Sequence, residues 1–220
     1  QLQVFTLHRY RPENIWGLHE LRPHILYNTY RKFDGYHTSS FLHVDNHWEW
    51  KNGYEIHTGM NFFHEGVQVP FNIVSGVTVD PGEYDDDEVA LVLITDQSAP
   101  LSLSVNIKDG GLFGGERFSA IPSIKYRVGD KFTSELAWNH NNDDLGPGRE
   151  FTVDVAQLRM TYSFTPKMAL QALVQYDKRQ DLVATNLRFS WLVTGDTGLY
   201  LVYNEVDDGR LAGLAKPRKE

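Results

Sequence analysis

The sequence predicts an all-β fold: an antiparallel up-and-down transmembrane β-barrel with about twelve strands present. Three observations predict it. Apolar and polar residues alternate with period two over long stretches, the alternating segments run to about ten residues or more, and tight and longer connections take turns along the chain. A globular strand is usually about 5–6 residues long, whereas a strand tilted across a bilayer needs roughly 9–11. No apolar run approaches the roughly 18 residues of a membrane-spanning helix, so a membrane would have to be met by strands. Aromatics make up 13% of the 220 residues, which favours β structure.

Twelve strands are expected near 2–11, 18–33, 40–50, 54–64, 86–96, 100–109, 116–128, 132–141, 151–164, 168–177, 182–193 and 198–205. The alternation is plainest in the second half. Leu101, Leu103, Val105 and Ile107 oppose Ser102, Ser104, Asn106 and Lys108. Leu158, Met160, Tyr162 and Phe164 oppose Gln157, Arg159, Thr161 and Ser163. Leu170, Ala172, Val174 and Tyr176 oppose Gln171, Leu173 and Gln175, and Leu187, Phe189, Trp191 and Val193 oppose Asn186, Arg188 and Ser190. One face therefore meets an apolar medium and the other water. The second face also carries Glu49, Glu55, Lys108, Arg117, Lys125, Arg127, Glu135, Arg159 and Arg188. A soluble sandwich with the apolar face turned inward fits the same alternation. Strand length and connection asymmetry are what favour the membrane.

Short connections are expected at 12–17, 51–53, 97–99, 129–131, 165–167 and 194–197, and longer ones at 34–39, 65–85, 110–115, 142–150 and 178–181. Outer-membrane barrels show such a contrast between periplasmic turns and outer loops. Turn chemistry then fixes register. In Lys51-Asn52-Gly53, a three-residue loop with its glycine left-handed pairs Trp50 with Tyr54, Trp48 with Ile56, Val44 with Met60 and Leu42 with Phe62. The other face pairs Glu49 with Glu55 and His47 with His57. A two-residue turn would mix the faces. Similar turns pair Val128 with Phe132 and Phe164 with Met168, so Trp50, Tyr54, Phe132 and Phe164 end the apolar face as an interfacial girdle would.

Composition excludes several chemistries. A net charge of −8, from 29 acidic and 21 basic residues, argues against nucleic acid as a partner. With no cysteine, neither a disulfide framework nor a thiolate metal site can form. His43, Asp45, His47 and Glu49 share a strand face with His57 opposite, a set that could hold Zn²⁺ or Cu²⁺; a polar, water-lined face needs no such ligand. Asp85-Asp86-Asp87-Glu88 lacks the spacing of a calcium loop and reads as a solvated loop border. Gly110-Gly111 and Gly114-Gly115 read as hairpin-loop glycines, since no helix or phosphate-loop lysine follows. Glu49 and Glu55 could face each other as a glycosidase pair, but like charges beside Lys and Arg are commonplace in a wet lumen. No nucleophile elbow or His-Glu-x-x-His occurs. No catalytic, cofactor or metal residue is assigned.

Several segments carry a resemblance. They are Trp48–Glu55, Pro81-Gly82-Glu83-Tyr84, Gly110–Arg117, Phe164-Thr165-Pro166-Lys167 leading into Leu170–Tyr176, and Asn186-Leu187-Arg188-Phe189 leading to Leu199–Glu205. Together they resemble the C-terminal β-barrel domain of unknown function that follows a carbohydrate-binding family 9-like module in Gram-negative surface proteins. The resemblance covers most of 48–205 and implies an outer-membrane location, lipid as a partner, and a link to oligosaccharide; it supplies no catalytic residues. No such module is expected within these 220 residues, and the resemblance implies that family members continue past a segment like Arg210–Glu220 into a final aromatic-ended strand. With 12–17 and 194–197 both periplasmic, both ends of the chain fall on the looped side. Residues 1–220 are thus expected to be one partial barrel domain, a fragment of a larger barrel with strands missing at both ends. The absence of an initiator Met or leader at Gln1 suits a processed or excised piece. A sheet so cut should be open, with strands 2–11 and 198–205 not laddered to each other. Three function classes stay open: a transport or surface-anchoring barrel with a polar lumen, a hydrolase embedded in a barrel wall, and a soluble β-sandwich carbohydrate-binding or glycosidase module.

Overall fold

A computed structural model describes residues 1–193 and 197–208, the side chain of Asp208 excepted. The connection expected at 194–197 falls largely outside the described residues, and Arg210–Glu220 falls wholly outside them.

All twelve expected strands form, and they pair antiparallel in sequence order. They are β1 (Leu2–Leu7), β2 (Leu18–Arg31), β3 (His37–Trp50), β4 (Glu55–Val67), β7 (Gly82–Ile94), β8 (Leu101–Leu112), β9 (Gly115–Val128), β10 (Phe132–Asp144), β11 (Glu150–Thr165), β12 (Met168–Asp177), β13 (Leu182–Leu192) and β14 (Gly198–Asp208). A small second sheet, β5 (Phe71–Val74) with β6 (Val77–Val79), lies between β4 and β7. No helix occurs among the described residues. Among the described residues the ladder starts at β1 and ends at β14, and the sheet is not closed. Two compact units divide the chain: Gln1–Asp96, Ser104–Ala120 and Asn141–Thr152 in the first; Gln97–Leu103, Ile121–His140 and the described residues from Val153 onward in the second.

Register follows the turn chemistry closely. β3 and β4 pair Trp48 with Ile56, Val44 with Met60, Leu42 with Phe62, Glu49 with Glu55 and His47 with His57. Gly53 holds φ at 82°, and Trp50 and Tyr54 close the hairpin through a 2.9 Å backbone bond from Trp50 N to Tyr54 O. β11 and β12 pair Tyr162 with Leu170 as expected. There the ladder slips between Ser163 and Thr165, so Thr165 rather than Phe164 meets Met168 and Phe164 is the bulged residue.

Three connections differ from expectation. β1 ends at Leu7, and only a bridge from Tyr10 to Leu21 continues it. Residues 65–85 are no open loop: β4 and β7 extend into the stretch from both sides, and the β5–β6 hairpin folds within it. Its Val77 and Val79 are buried with Leu145 and pack against Tyr84, Leu112, Phe113 and Phe151. The glycines of 110–115 are strand residues apart from the turn at Phe113 and Gly114, which hold φ at 50° and 75°, the pair of left-handed values that suits a tight hairpin. Glycine is needed at 110 for another reason: a Cβ there would sit 2.2 Å from the carbonyl oxygen of Asp87. The contrast between tight and looped ends is accordingly lost, since 113–114 and 178–181 are as short as 51–54 and 129–131.

Polarity is inverted relative to a soluble domain. Rows such as Ile25–Val44–Met60–Val89 in the first unit and Tyr162–Leu170–Phe189–Leu201 in the second run across neighbouring strands on one face. These side chains stand open: Val89 is 51% exposed, Leu201 57%, Trp191 44%. The deeply buried groups include Asn61, Glu88, Ser102, Ser119 and Asp143, while of the buried apolar residues Val77, Val79 and Leu145 belong to the hairpin cluster and Leu18 stands apart at the start of β2.

Gly110→Ala should destabilise by about 1–3 kcal/mol, because backbone rather than a movable side chain occupies the space. Gly82→Ala, whose Cβ would meet nothing closer than 3.6 Å, should be near neutral. Denaturant midpoints of the two variants check this.

Candidate functional site

The polar face of β2, β3 and β4 gathers four histidines, four carboxylates and one central arginine in the first unit. Period two puts His24, Arg22 and Glu20 of β2 on the same face as His43, Asp45, His47 and Glu49 of β3. Antiparallel pairing sets His24 opposite Asp45 and Arg22 opposite His47, with Gly59 opposite Asp45 and His57 opposite His47 from β4. His64 of β4 lies on the other face, and its Nδ1 meets Asp85 Oδ1 at 2.7 Å. His37, at the start of β3, stacks on the His64 ring with centroids 4.1 Å apart.

Arg22 is the electrostatic centre of one end. Its Nη2 lies 3.1 Å from Glu55 Oε2 and 3.4 Å from Glu49 Oε2, while its Nε is 3.7 Å from Glu20 Oε1. Glu20 further accepts a 2.8 Å bond from Arg11 Nε and has Arg9 at 3.8 Å. The register does bring Glu49 and Glu55 together, as the sequence suggested. With Arg22 bonded to both, they form an ion-pair network rather than the separated acid and base of a glycosidase.

The histidines form two linked groups. His24, His43 and Asp45 bring their ligand atoms within 4.8 Å of one another, and so do Asp45, His47 and His57. His47 and His57 stack face to face, centroids 3.5 Å apart, each with Nε2 on the carboxylate two residues before it: Asp45 Oδ2 at 3.1 Å and Glu55 Oε2 at 3.0 Å. Behind His43 runs a buried relay. His43 Nδ1 lies 2.6 Å from Asn61 Oδ1, Asn61 Nδ2 donates to Glu88 Oε1 at 2.6 Å, and Lys108 Nζ reaches the same oxygen at 3.2 Å.

The acidic run Asp85–Glu88 is a strand segment of β7, not a loop border. Its members alternate between faces: Asp85 meets His64, Asp86 accepts from Gly114 N at 3.1 Å, and Glu88 joins the relay. It cannot converge on one cation. Of the remaining charges, Arg117 pairs with buried Asp143 at 2.6 Å. In the second unit Asp154 gathers His140 at 2.7 Å, Trp138 Nε1 at 3.2 Å and Lys178 at 3.2 Å.

Sequence reasoning brought His43, Asp45, His47, Glu49 and His57 together correctly. It missed His24, Arg22 and the Asn61–Glu88 relay. Placing β2 against β3 requires two register shifts, between Leu18 and Glu20 and between Tyr30 and Arg31, for which the connecting residues carry no signal. The relay was missed because Asp85–Glu88 was read as a solvated loop border, although the strand expected near 86–96 includes Glu88. Comparison of the chain with protein-family models, with curated proteins and with solved structures finds no match. The site is therefore read from its own geometry.

Arg22→Gln leaves Glu49 and Glu55 facing each other without their shared cation, whereas Arg9 is largely exposed and only touches Glu20. Arg22→Gln should lower the unfolding midpoint clearly and Arg9→Gln hardly at all. Adding Glu55→Gln to Arg22→Gln should recover part of the loss, which urea titrations of the three variants would measure.

Proposed function

We propose that this chain builds the wall of a bacterial outer-membrane β-barrel, with its apolar face toward lipid and its polar face lining a wet lumen that passes or anchors a polar partner, oligosaccharide being the expected class. The observation that carries this reading is the inverted polarity: exposed rows of Leu, Val, Phe, Tyr and Trp on one face, and charged or polar side chains among the deeply buried ones. Water charges about 25 cal/mol for each Å² of apolar surface left exposed, so such a face asks for an apolar medium. Most strands of the sheet are also long enough to cross a bilayer at a tilt. Trp50, Tyr54 and Phe164 lie beside the hairpin turns, where an interfacial girdle belongs. The resemblance to Gram-negative surface barrels points the same way. A soluble sandwich would need Leu187 and Trp191 packed under a second sheet, and these side chains are 38% and 44% exposed.

The reading has a two-sided test in adjacent residues of β12. Val174 pairs with Leu158 and Thr185 on the apolar face, and Gln175 pairs with Gln157 and Ala184 on the other. Refolded into lipid vesicles, Val174→Arg should cost about 2–4 kcal/mol near the bilayer midplane, and Gln175→Arg should be nearly neutral. Equal penalties, or a wild-type chain that stays monodisperse in water without detergent, would count against the membrane wall.

A further inference from the structure

We propose that His24, His43 and Asp45 form a binding site for one divalent transition-metal ion, Zn²⁺ or Cu²⁺, on the polar face between β2 and β3. The argument begins with protons. His24 Nδ1 lies 3.1 Å from the backbone carbonyl oxygen of Arg22, a group that can only accept, so Nδ1 carries the hydrogen. His43 Nδ1 lies against Asn61 Oδ1, and the Asn61 amide is oriented by donating its nitrogen to the Glu88 carboxylate. Nδ1 of His43 therefore carries the hydrogen as well. In each neutral ring, Nε2 is left with a lone pair, and these two nitrogens face each other at 3.2 Å.

Two acceptors at that distance repel unless a cation lies between them. Two imidazole nitrogens bound tetrahedrally at about 2.0–2.1 Å from Zn²⁺ stand about 3.3 Å apart, close to the spacing found here. Asp45 supplies the third donor: its Oδ2 is 3.7 Å from His43 Nε2. An independent observation marks Asp45 as a ligand. Its side chain is only 8% exposed, yet Oδ1 accepts no hydrogen bond from any described residue. A buried carboxylate oxygen left bare is costly, and coordination to a cation removes the cost. The Nδ1 partners are those of a metal-ligating histidine, since a carbonyl or a carboxylate-anchored group on the far nitrogen fixes the tautomer and raises ligand basicity. His47, 3.1 Å from Asp45 Oδ2, holds the carboxylate from its other side. With two imidazoles, one carboxylate and no thiolate, the donor set suits Zn²⁺ or Cu²⁺ and is poor for Ca²⁺ or Mg²⁺. The site rests on the local pairing of β2 with β3 and is independent of the membrane reading.

The test uses the full chain, folded and stripped with a chelator, then titrated with Zn²⁺ by calorimetry and with Cu²⁺ by electron paramagnetic resonance. One equivalent of Zn²⁺ should bind and raise the unfolding midpoint, and Cu²⁺ should show nitrogen hyperfine coupling. His24→Gln and His43→Gln should each weaken binding at least tenfold, and together abolish the midpoint shift. Asn61→Leu, which touches no metal but releases His43 Nδ1, should weaken binding about 10–100-fold. His140→Gln should change nothing. Should Asn61→Leu fail to fold, the half-buried His24→Gln variant, checked by circular dichroism, still decides. A wild-type chain that takes up no Zn²⁺ in molar excess holds only a shared proton between the rings and overturns the proposal, as does unchanged affinity in the His24→Gln/His43→Gln pair.

Discussion

A single antiparallel sheet has no interior of its own, and most of this structure can be understood from that. In a sandwich, each sheet lends its apolar face to a shared core and leaves a polar face wet. Here the described residues form one large sheet plus one small hairpin, so each face must be matched to whatever medium it meets. The backbone fixes which residues share a face, because neighbouring side chains point to opposite sides and cross-strand partners to the same side. Charge has then been gathered on one side and aliphatic and aromatic surface on the other, strand after strand.

The consequences differ between the faces. An apolar face tolerates almost any large hydrophobe, since dispersion contacts are unspecific. A face dense in carboxylates, imidazoles and guanidinium groups tolerates little, because every unpaired charge in a crowded patch is expensive. This is why the polar face of β2–β4 shows defined chemistry: one arginine shared among three glutamates, two stacked imidazoles each tied to its own carboxylate, and a lysine–glutamate–asparagine–histidine relay. Small residues make room for it. Gly59 and Ala90 continue the row that holds His24 and Asp45, where bulkier side chains would crowd the imidazoles.

How far the sequence revealed this depends on which signal each feature left. Twelve strands were legible because period two persists for ten residues at a time, and the β3–β4 register was legible because Asn52-Gly53 permits one hairpin geometry that keeps faces apart. The β5–β6 hairpin was not legible: Phe71–Val79 is too short for periodicity to separate it from loop, and its Val77 and Val79 find their partners in Leu145 and Phe151, far along the chain. Glycine misled in the same region. Gly110, Gly111 and Gly115 look like loop residues, yet they sit in strands, with Gly110 and Gly115 set where a neighbouring carbonyl comes within van der Waals reach. Composition reports that glycine is needed, not whether φ or close approach requires it. The catalytic-looking pair Glu49 and Glu55 was found by sequence, but its meaning changed once Arg22 arrived from a strand whose register no turn announces.

The edges complete the argument. Strands that must stay unpaired are usually blunted with lysine, proline, a bulge or a covering segment. Among the described residues β1, Leu-Gln-Val-Phe-Thr-Leu, has none of these: it is uncharged, and Leu2, Val4 and Phe5 stand more than half exposed. β14 begins equally open, with Gly-Leu-Tyr-Leu-Val-Tyr uncharged before Asn204 and Glu205, and Leu199 through Tyr203 are exposed. Among the described residues each edge thus offers a row of N–H and C=O groups outside the ladder, with an apolar flank, which is the surface a further strand would pair with. In water such an edge invites aggregation; in hydrocarbon each unpaired group costs several kcal/mol. The outer-membrane reading proposed above would therefore ask for both edges to be paired.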